Sequence, residues 1–203
     1  MIVSFSGIDG SGKSRTARAV AEELRRRRID ARCSIPAYAS YSAFKQRIAE
    51  QMGDPYAFYG TPEAHEAVDC LATDWLTWWS DNQHRAEAGT VLCCDRYLPD
   101  VYAQARQLDV PVDDLDRRLH PLPGADLAFL LQVDAVTACK RIEARTDARP
   151  NRSETLPWLE RLAEVFTDMT NEPRWRLIPL DAFRPLQLSV TESVDTVLLH
   201  HIP

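Results

Sequence analysis

Several features that would give an immediate reading are missing from this sequence. Its five cysteines are an odd number with no C-x-x-C spacing, and two of them, Cys93 and Cys94, are neighbours on an apolar run. Neither a disulfide framework nor a structural zinc is indicated, and no H-E-x-x-H is present. The longest unbroken apolar run is the five residues Leu127 to Leu131, far short of the ~20 needed to cross a bilayer. The N-terminus lacks a basic-then-apolar leader pattern. Positive charge is not in excess: 24 Lys and Arg against 30 Asp and Glu give a net charge of −6, which argues against broad nucleic-acid binding and leaves only local basic pockets for a small anion. These absences predict a soluble, cytoplasmic protein with neither a nucleic-acid nor a membrane partner. With 203 residues, 45% hydrophobic and 27% charged, the chain is suited to one domain with a substantial core, and disorder or a collagen-like structure is excluded.

Along the chain, a β-branched and aromatic run at Ile2–Ser6 precedes a Gly/Ser/Asp cluster at Gly7–Gly12 and a helical pattern from Lys13 to about Arg28. A second strand is expected at Ala31–Ile35, ended by Pro36, then a short helix over Ser42–Met52. Thr61-Pro62 reads as a helix start and Gly89 as a stop, giving one long helix over Pro62–Ala88. Thr90–Cys94 is a buried strand ending at Asp95. Helices follow near Asp100–Leu108 and at Asp113–Leu119, then a strand at Leu127–Val133 and a helix at Ala135–Arg145. A helix at Leu156–Thr170, a strand at Trp175–Leu180 and a helix near Thr191–His201 complete the pattern. Alternating strands and helices predict an α/β fold with a parallel sheet covered by helices on both faces. No repeat or linker divides residues 1–203.

Gly7-Ile8-Asp9-Gly10-Ser11-Gly12-Lys13-Ser14 matches G-x-x-x-x-G-K-[ST] between a strand and a helix, the context a P-loop requires. Its glycines let backbone N–H groups turn onto phosphate oxygens. Lys13 reaches the β- and γ-phosphates and the Ser14 hydroxyl suits Mg²⁺. Gly7, Gly10, Ser11, Gly12, Lys13, Ser14 and the adjoining Arg15 are therefore the ATP-binding candidates. Lys13 is expected to face solvent and to touch no core group.

The strand Val91–Asp95 delivers a carboxylate to the end of the sheet where ligands of such folds collect, so Asp95 is the second Mg²⁺ candidate. Arg96 beside it is suited to clamp a phosphate bidentately. Four arginines, Arg141, Arg145, Arg149 and Arg152, flank a stretch with Asp147, Pro150 and Asn151 that reads as a lid at about residues 145–155. Arginines on a lid suit phosphoryl transfer, whose transition state spreads charge over equatorial oxygens. Arg149 and Arg152 are the catalytic candidates, because Arg141 and Arg145 lie one helical turn apart and also read as a solvated face. Arg25–Arg28 end a helix and read as a solvated, dipole-favoured cluster. Trp75, Trp78 and Trp79 fall at helical spacing, the pattern of a core stripe, and leave open one ring stacking on a planar acceptor.

The order of these motifs resembles the thymidylate kinase family: the loop, the strand ending Asp95-Arg96-Tyr97, the segment Ala125-Asp126-Leu127 to Leu131-Gln132-Val133 with Arg141-Ile142 beyond it, a lid holding Arg152-Ser153-Glu154, and a late strand into Leu180-Asp181-Ala182. The likeness runs to about residue 183. It implies an ATP- and Mg²⁺-dependent phosphotransferase of P-loop type, with Asp9 pointing at the acceptor sugar and phosphate, Lys13 and Arg96 handling phosphates, and lid arginines closing over ATP. Gly10 and Ser11 stand where some members carry a loop arginine, which implies that the lid supplies the catalytic one. An assembly as a homodimer stays open.

The acceptor side departs from that pattern. Glu-Pro-Gly-Gly after the second strand appears as Ile35-Pro36-Ala37-Tyr38. The Ala-Asp-Arg of the long helix is Thr73-Asp74-Trp75, and the Ser and Tyr-Gln beyond Asp-Arg-Tyr are Asp100 and Gln104-Ala105. Asp9, Arg47, Trp75, Arg96, Tyr97 and Asp100 are the acceptor-binding candidates, with Arg47 or Lys45 left to meet an acceptor phosphate. The reading is a kinase of a nucleoside monophosphate or related small molecule. A kinase of a non-phosphorylated alcohol or nucleoside, with Asp100 as base or hydroxyl anchor, and a nucleotide-dependent switch without acceptor are the alternatives.

Overall fold

The computed structural model describes residues 1–145 and 151–201. Five strands, β1 (Ile2–Ser6), β2 (Ala31–Ser34), β3 (Val91–Asp95), β4 (Leu127–Gln132) and β5 (Leu177–Asp181), form one sheet in the order β2-β3-β1-β4-β5. Every pairing is parallel, with Val3 opposite Cys93 on one side and Leu127 on the other. All five residues of β1 and of β3 are buried. That two-sided burial explains why these strands read as continuous apolar runs instead of alternating ones. Phe5 and Phe129 stack across the β1/β4 pair at 5.4 Å between ring centroids.

The helices are α1 (Lys13–Arg26), α2 (Ala39–Met52), α3 (Glu63–Glu87), α4 (Leu98–Gln107), α5 (Asp113–Leu119), α6 (Ala135–Glu143), α7 (Leu156–Thr170) and α8 (Leu186–His201), with a 3₁₀ turn at Arg152–Glu154. Among the described residues no helix is long and apolar enough to cross a membrane. Because β1 sits between β3 and β4, the chain leaves it first toward one edge and later toward the other. The crevice at the carboxyl end of β1 is the switch point where ligands of open α/β sheets bind.

Several boundaries differ from the sequence reading, and the larger shifts have a physical reason. Helix α2 begins three residues early, at Ala39, because the Asp74 carboxylate of α3 accepts the Ser40 and Tyr41 backbone N–H groups, both at 2.9 Å. This is a cap supplied from another helix, so no local pattern announces it. Strand β2 ends at Ser34, one residue before Ile35. Strand β5 starts at Leu177, not Trp175, since Arg176 takes a left-handed φ of 45° and Trp175 packs edge-on to Tyr102 at 4.8 Å. Helix α8 starts at Leu186, five residues before Thr191, directly after Pro185, whose carbonyl accepts the Leu188 N–H at 2.9 Å.

Candidate active site

The loop from β1 to α1 is shaped by what its glycines must avoid. Gly7 has φ +140°, and a Cβ there would stand 2.7 Å from the Leu131 carbonyl oxygen of β4. At Gly10, φ +81°, it would stand 2.4 Å from the Ala138 carbonyl oxygen of α6. A side chain at either would push the loop off the sheet. Gly12 precedes α1 with a left-handed backbone, no side chain caps the helix, and its first turn carries no acid. The N–H groups and partial positive charge of that end are left for an anion.

Lys13 overturns one expectation: it is 4% exposed. Its ammonium folds back over the loop, donating to the Ile8 carbonyl at 2.7 Å and lying 3.4 Å from Asp9 Oδ1. That contact closes the six-residue loop from Ile8 to Lys13. Burial, and then Arg96, lower the Lys13 pKa against the pull of Asp9.

Arg96 follows β3 in a left-handed conformation, φ 75°, and its N–H is held by the Phe5 carbonyl at 3.0 Å. Backbone strain of this kind persists where surrounding contacts over-determine it. The guanidinium pairs through Nη2 with Asp9 and lies 3.7 Å through Nη1 from Asp100 Oδ1. Burial works to raise the Asp9 carboxyl, but Arg96 and Lys13 outweigh it and hold Asp9 well below the usual carboxylate range. For Arg96 burial acts downward, and Asp9 and Asp100 reverse it, so the guanidinium stays charged.

Two cavities meet at this pair. The larger, about 790 Å³, is lined by the loop, by six cations (Lys13, Arg15, Arg96, Arg141, Arg145, Arg184) and by two carboxylates, Asp9 and Glu154. Arg141 donates to the Ala182 carbonyl at 2.8 Å and toward that of Gly10 at 3.5 Å, tying α6 to the loop and to the end of β5. Arg145 lies 3.6 Å from Glu154, and Arg184 3.1 Å from Glu192. The second, about 400 Å³, is walled by Tyr38, Tyr41, Tyr56, Tyr59 and Trp158, with Gln104, Gln107, Asn151 and Ser153 as polar groups. Tyr59 and Trp158 stack at 4.3 Å and 10° between planes. Its charges among the described residues are Lys45 and Arg96 against Asp9 and Asp100. Tyr38 takes φ 51° at the start of α2. Burial pushes the Tyr38 and Tyr41 phenols far above their usual range, so both are neutral donors.

The structure brings Gly10, Ser11, Gly12, Lys13, Ser14 and Arg15 together on the first cavity, with Gly7 behind them, and puts Asp9 and Arg96 on both. Asp100 lines the second. Other candidates are corrected. Arg47 turns away to Glu66 at 2.6 Å and Gln51 at 3.1 Å, because helical positions two apart face different ways and Lys45 takes the cavity side. Trp75, 1% exposed, packs edge-on to Trp78 and Tyr97 at 5.1 and 5.0 Å. It stabilises the core by about 0.5–1.5 kcal/mol per aromatic pair beyond area burial and offers no face to a ligand. Tyr97 is fully buried, its hydroxyl donating to the Pro123 carbonyl at 2.9 Å. Arg152 is exposed, with its guanidinium 5.7 Å from the Tyr59 ring centroid. The turn capped by Asn151 presents Glu154 to the larger cavity and Arg152 to the aromatic wall. Arg149 lies outside the described residues. Sequence reasoning gave Arg141 too little weight, although Arg141-Ile142 belonged to the motif series. It missed Arg184 and the tyrosines, which carried no motif.

The residues present fit ATP with Mg²⁺. Asp95 at the end of β3 is 8% exposed, and its Oδ1 has no hydrogen-bond partner. Ser14 is exposed on the larger cavity. Among the described residues no cluster of three His, Cys, Asp or Glu gathers to hold a metal alone. That sparse donor set suits a cation bound mainly by phosphate oxygens and water.

A P-loop, a five-stranded parallel sheet and an arginine-rich cleft beside a second cavity define a P-loop phosphotransferase. The family model for thymidylate kinase matches residues 5–192. A thymidylate kinase of Xanthomonas campestris pv. campestris (strain B100) is 29% identical over 174 residues, covering 82% of this chain and 70% of that protein. One from Desulfotalea psychrophila is 24% identical over 170 residues, covering 83% and 81%. The chain belongs to the thymidylate kinase family and is an ATP-dependent kinase.

Proposed function

We propose that this protein moves the γ-phosphoryl group of ATP from the arginine-rich cleft onto a small planar acceptor of nucleoside or nucleotide type held between the tyrosines. The observation that carries this reading is that Asp9 and Arg96 line both cavities. A group transferred in line must cross from one site to the other, and Arg96 stands at the crossing with a charge that Asp9 secures. The loop N–H groups and Lys13 hold the β- and γ-phosphates, and Arg141, Arg145 and Arg184 surround the donor. Arg141 and Arg145 join Arg149 and Arg152, the lid arginines of the sequence reading, in the cationic role. Ser14 and Asp95 would hold Mg²⁺, which neutralises phosphate charge when bound. Asp9 orients the acceptor and fixes the Arg96 fork.

The test is ADP release by Lys13→Met, with thermal melting as a check on folding. Because Lys13 both closes the loop and meets the phosphates, turnover should fall by about 10²-fold or more while a cooperative melt is kept. Wild-type turnover in a folded variant contradicts the assignment.

A further inference from the structure

Asp100 is a buried acid with one oxygen hydrogen-bonded and the other held only by a long ion pair, 3.7 Å from Arg96 Nη1. Its Oδ2 accepts the Ser6 hydroxyl at 2.6 Å and the Tyr97 N–H at 3.1 Å, which fixes the carboxyl plane. Its Oδ1 has no hydrogen-bond partner, although the residue is 8% exposed and lines the acceptor cavity. Buried polar oxygens without a partner are rare and call for an explanation. Among the described residues the cavity also offers a phosphate dianion few cations. Arg96 is already shared between Asp9 and Asp100, and Lys45 sits over the Tyr41 and Tyr56 rings at 4.8 and 5.5 Å.

The acceptor's own chemistry separates the cases. A phosphate oxygen is ionised at neutral pH, needs cations around it and needs no base. A neutral hydroxyl needs a group to take its proton as its oxygen attacks, a contribution typically worth about 10²–10⁴-fold. We propose that the acceptor is a neutral hydroxyl compound of the nucleoside class, and that Asp100 Oδ1 takes the proton of the hydroxyl that becomes phosphorylated. This rests on the reading of the two cavities as donor and acceptor sites. The hydroxyl oxygen forms the new O–P bond, the β–γ bridging P–O bond breaks with its electron pair leaving on ADP, and the proton passes to Asp100 and then to water. The rings of Tyr38, Tyr41 and Trp158 suit a base ring, Tyr59 backing Trp158, and Gln104, whose Nε2 reaches the Tyr41 hydroxyl at 3.3 Å, supplies an amide edge. Asp100 is faced by Arg96 and Lys13, by the Ser6 hydroxyl and by the Tyr38 phenol, while Asp9 and Asp95 share the same cations. Burial raises the Asp100 carboxyl against the pull of Arg96 and Lys13, which makes it a better proton acceptor.

The experiment measures ADP release with ATP and Mg²⁺ for uridine, thymidine, cytidine, adenosine and guanosine, each beside its 5′-monophosphate. At least one nucleoside should exceed its own monophosphate in kcat/KM by about 100-fold, the scale expected when a site is built for one charge state. With that nucleoside, Asp100→Asn should lower kcat by about 10²-fold, leave KM within about threefold and abolish the acidic limb of the wild-type pH profile. Calorimetric titration should show that this variant still binds the nucleoside. If the variant does not fold, the nucleoside-to-monophosphate ratio and the wild-type acidic limb decide. A preferred monophosphate, or a folded Asp100→Asn with wild-type kcat and an intact acidic limb, overturns the proposal. So does the absence of turnover with every compound while ATP and Mg²⁺ still bind by calorimetry, an outcome that leaves the donor cleft standing. Failure of ATP and Mg²⁺ to bind would bring down the reading of the two cavities itself.

Discussion

The two cavities on either side of Arg96 are built on opposite principles. Among the described residues the donor cleft gathers six cations around the backbone N–H groups of a loop that is continuous in sequence; Lys13 and Arg15 come from that loop and α1, and Arg96, Arg141, Arg145 and Arg184 from the ends of β3, α6 and β5. The acceptor cavity has, among the described residues, two cations balanced by two carboxylates and is walled by aromatic rings drawn from α2, α7 and the connections beside them. The first binds by charge and recognises what all its substrates share. The second binds by shape and by placing a few polar atoms, which is where members of one family come to differ.

Beyond the losses expected at Lys13 and Asp100, the largest effect should come from stripping the donor side of one cation. Arg141→Ala removes a guanidinium that bridges Gly10 and Ala182, and the KM for ATP should rise about tenfold, as for loss of a charge-assisted contact. The acceptor KM should change far less. Equal shifts in both would blur the division between the cavities.

The acceptor side can be probed by its strained tyrosine. Tyr38 has φ 51°, a conformation glycine adopts without cost. Tyr38→Gly and Tyr38→Ala lose the same ring, yet the glycine variant should be the more stable by about 1 kcal/mol in denaturant titrations. Both should weaken acceptor binding and leave ATP binding unchanged. An alanine variant as stable as the glycine one would show that the position carries no strain.

The smallest effect is on stability and concerns Asp100. Its carboxyl is raised above the ordinary 3.8 by burial, against Arg96 and Lys13. The folded state therefore holds a proton that the unfolded chain has lost, and folding is progressively disfavoured as pH rises from about 4 through the folded pKa. Asparagine has no such term. The melting temperature of Asp100→Asn relative to wild type should climb between pH 4 and pH 8, and a flat or falling difference would mean that the acid is not raised.

How much was legible in the sequence follows the same division. The loop and Asp95 were readable because their geometry is set by neighbours in the chain and Arg96 because it follows Asp95 directly, although Phe5 and Asp9 fix its conformation, and the parallel sheet followed from apolar runs such as Val91–Asp95. Lys13 was found but misjudged, since nothing local shows that its ammonium folds back onto Ile8. The acceptor side resisted because tertiary partners decide it. Lys45 and Arg47 are two residues apart, and only the packing of α2 on α3 tells which enters the cavity. Trp75 lies where the family holds an arginine, and whether its ring binds a ligand or fills the core depends on Trp78 and Tyr97. Asp74 looked like part of a depleted motif and is instead the cap of α2.

The most direct test of this account is a crystal structure grown with Mg²⁺, a non-hydrolysable ATP analogue and thymidine. The triphosphate is expected in the loop cradle beneath Arg141 with its terminal phosphate at the Asp9–Arg96 pair, and the nucleoside between Tyr38 and the Tyr59–Trp158 stack with one hydroxyl on Asp100 Oδ1. A nucleoside seated elsewhere, such as the apolar hollow beside Phe166 and Phe183, or a terminal phosphate directed away from Arg96, would contradict it.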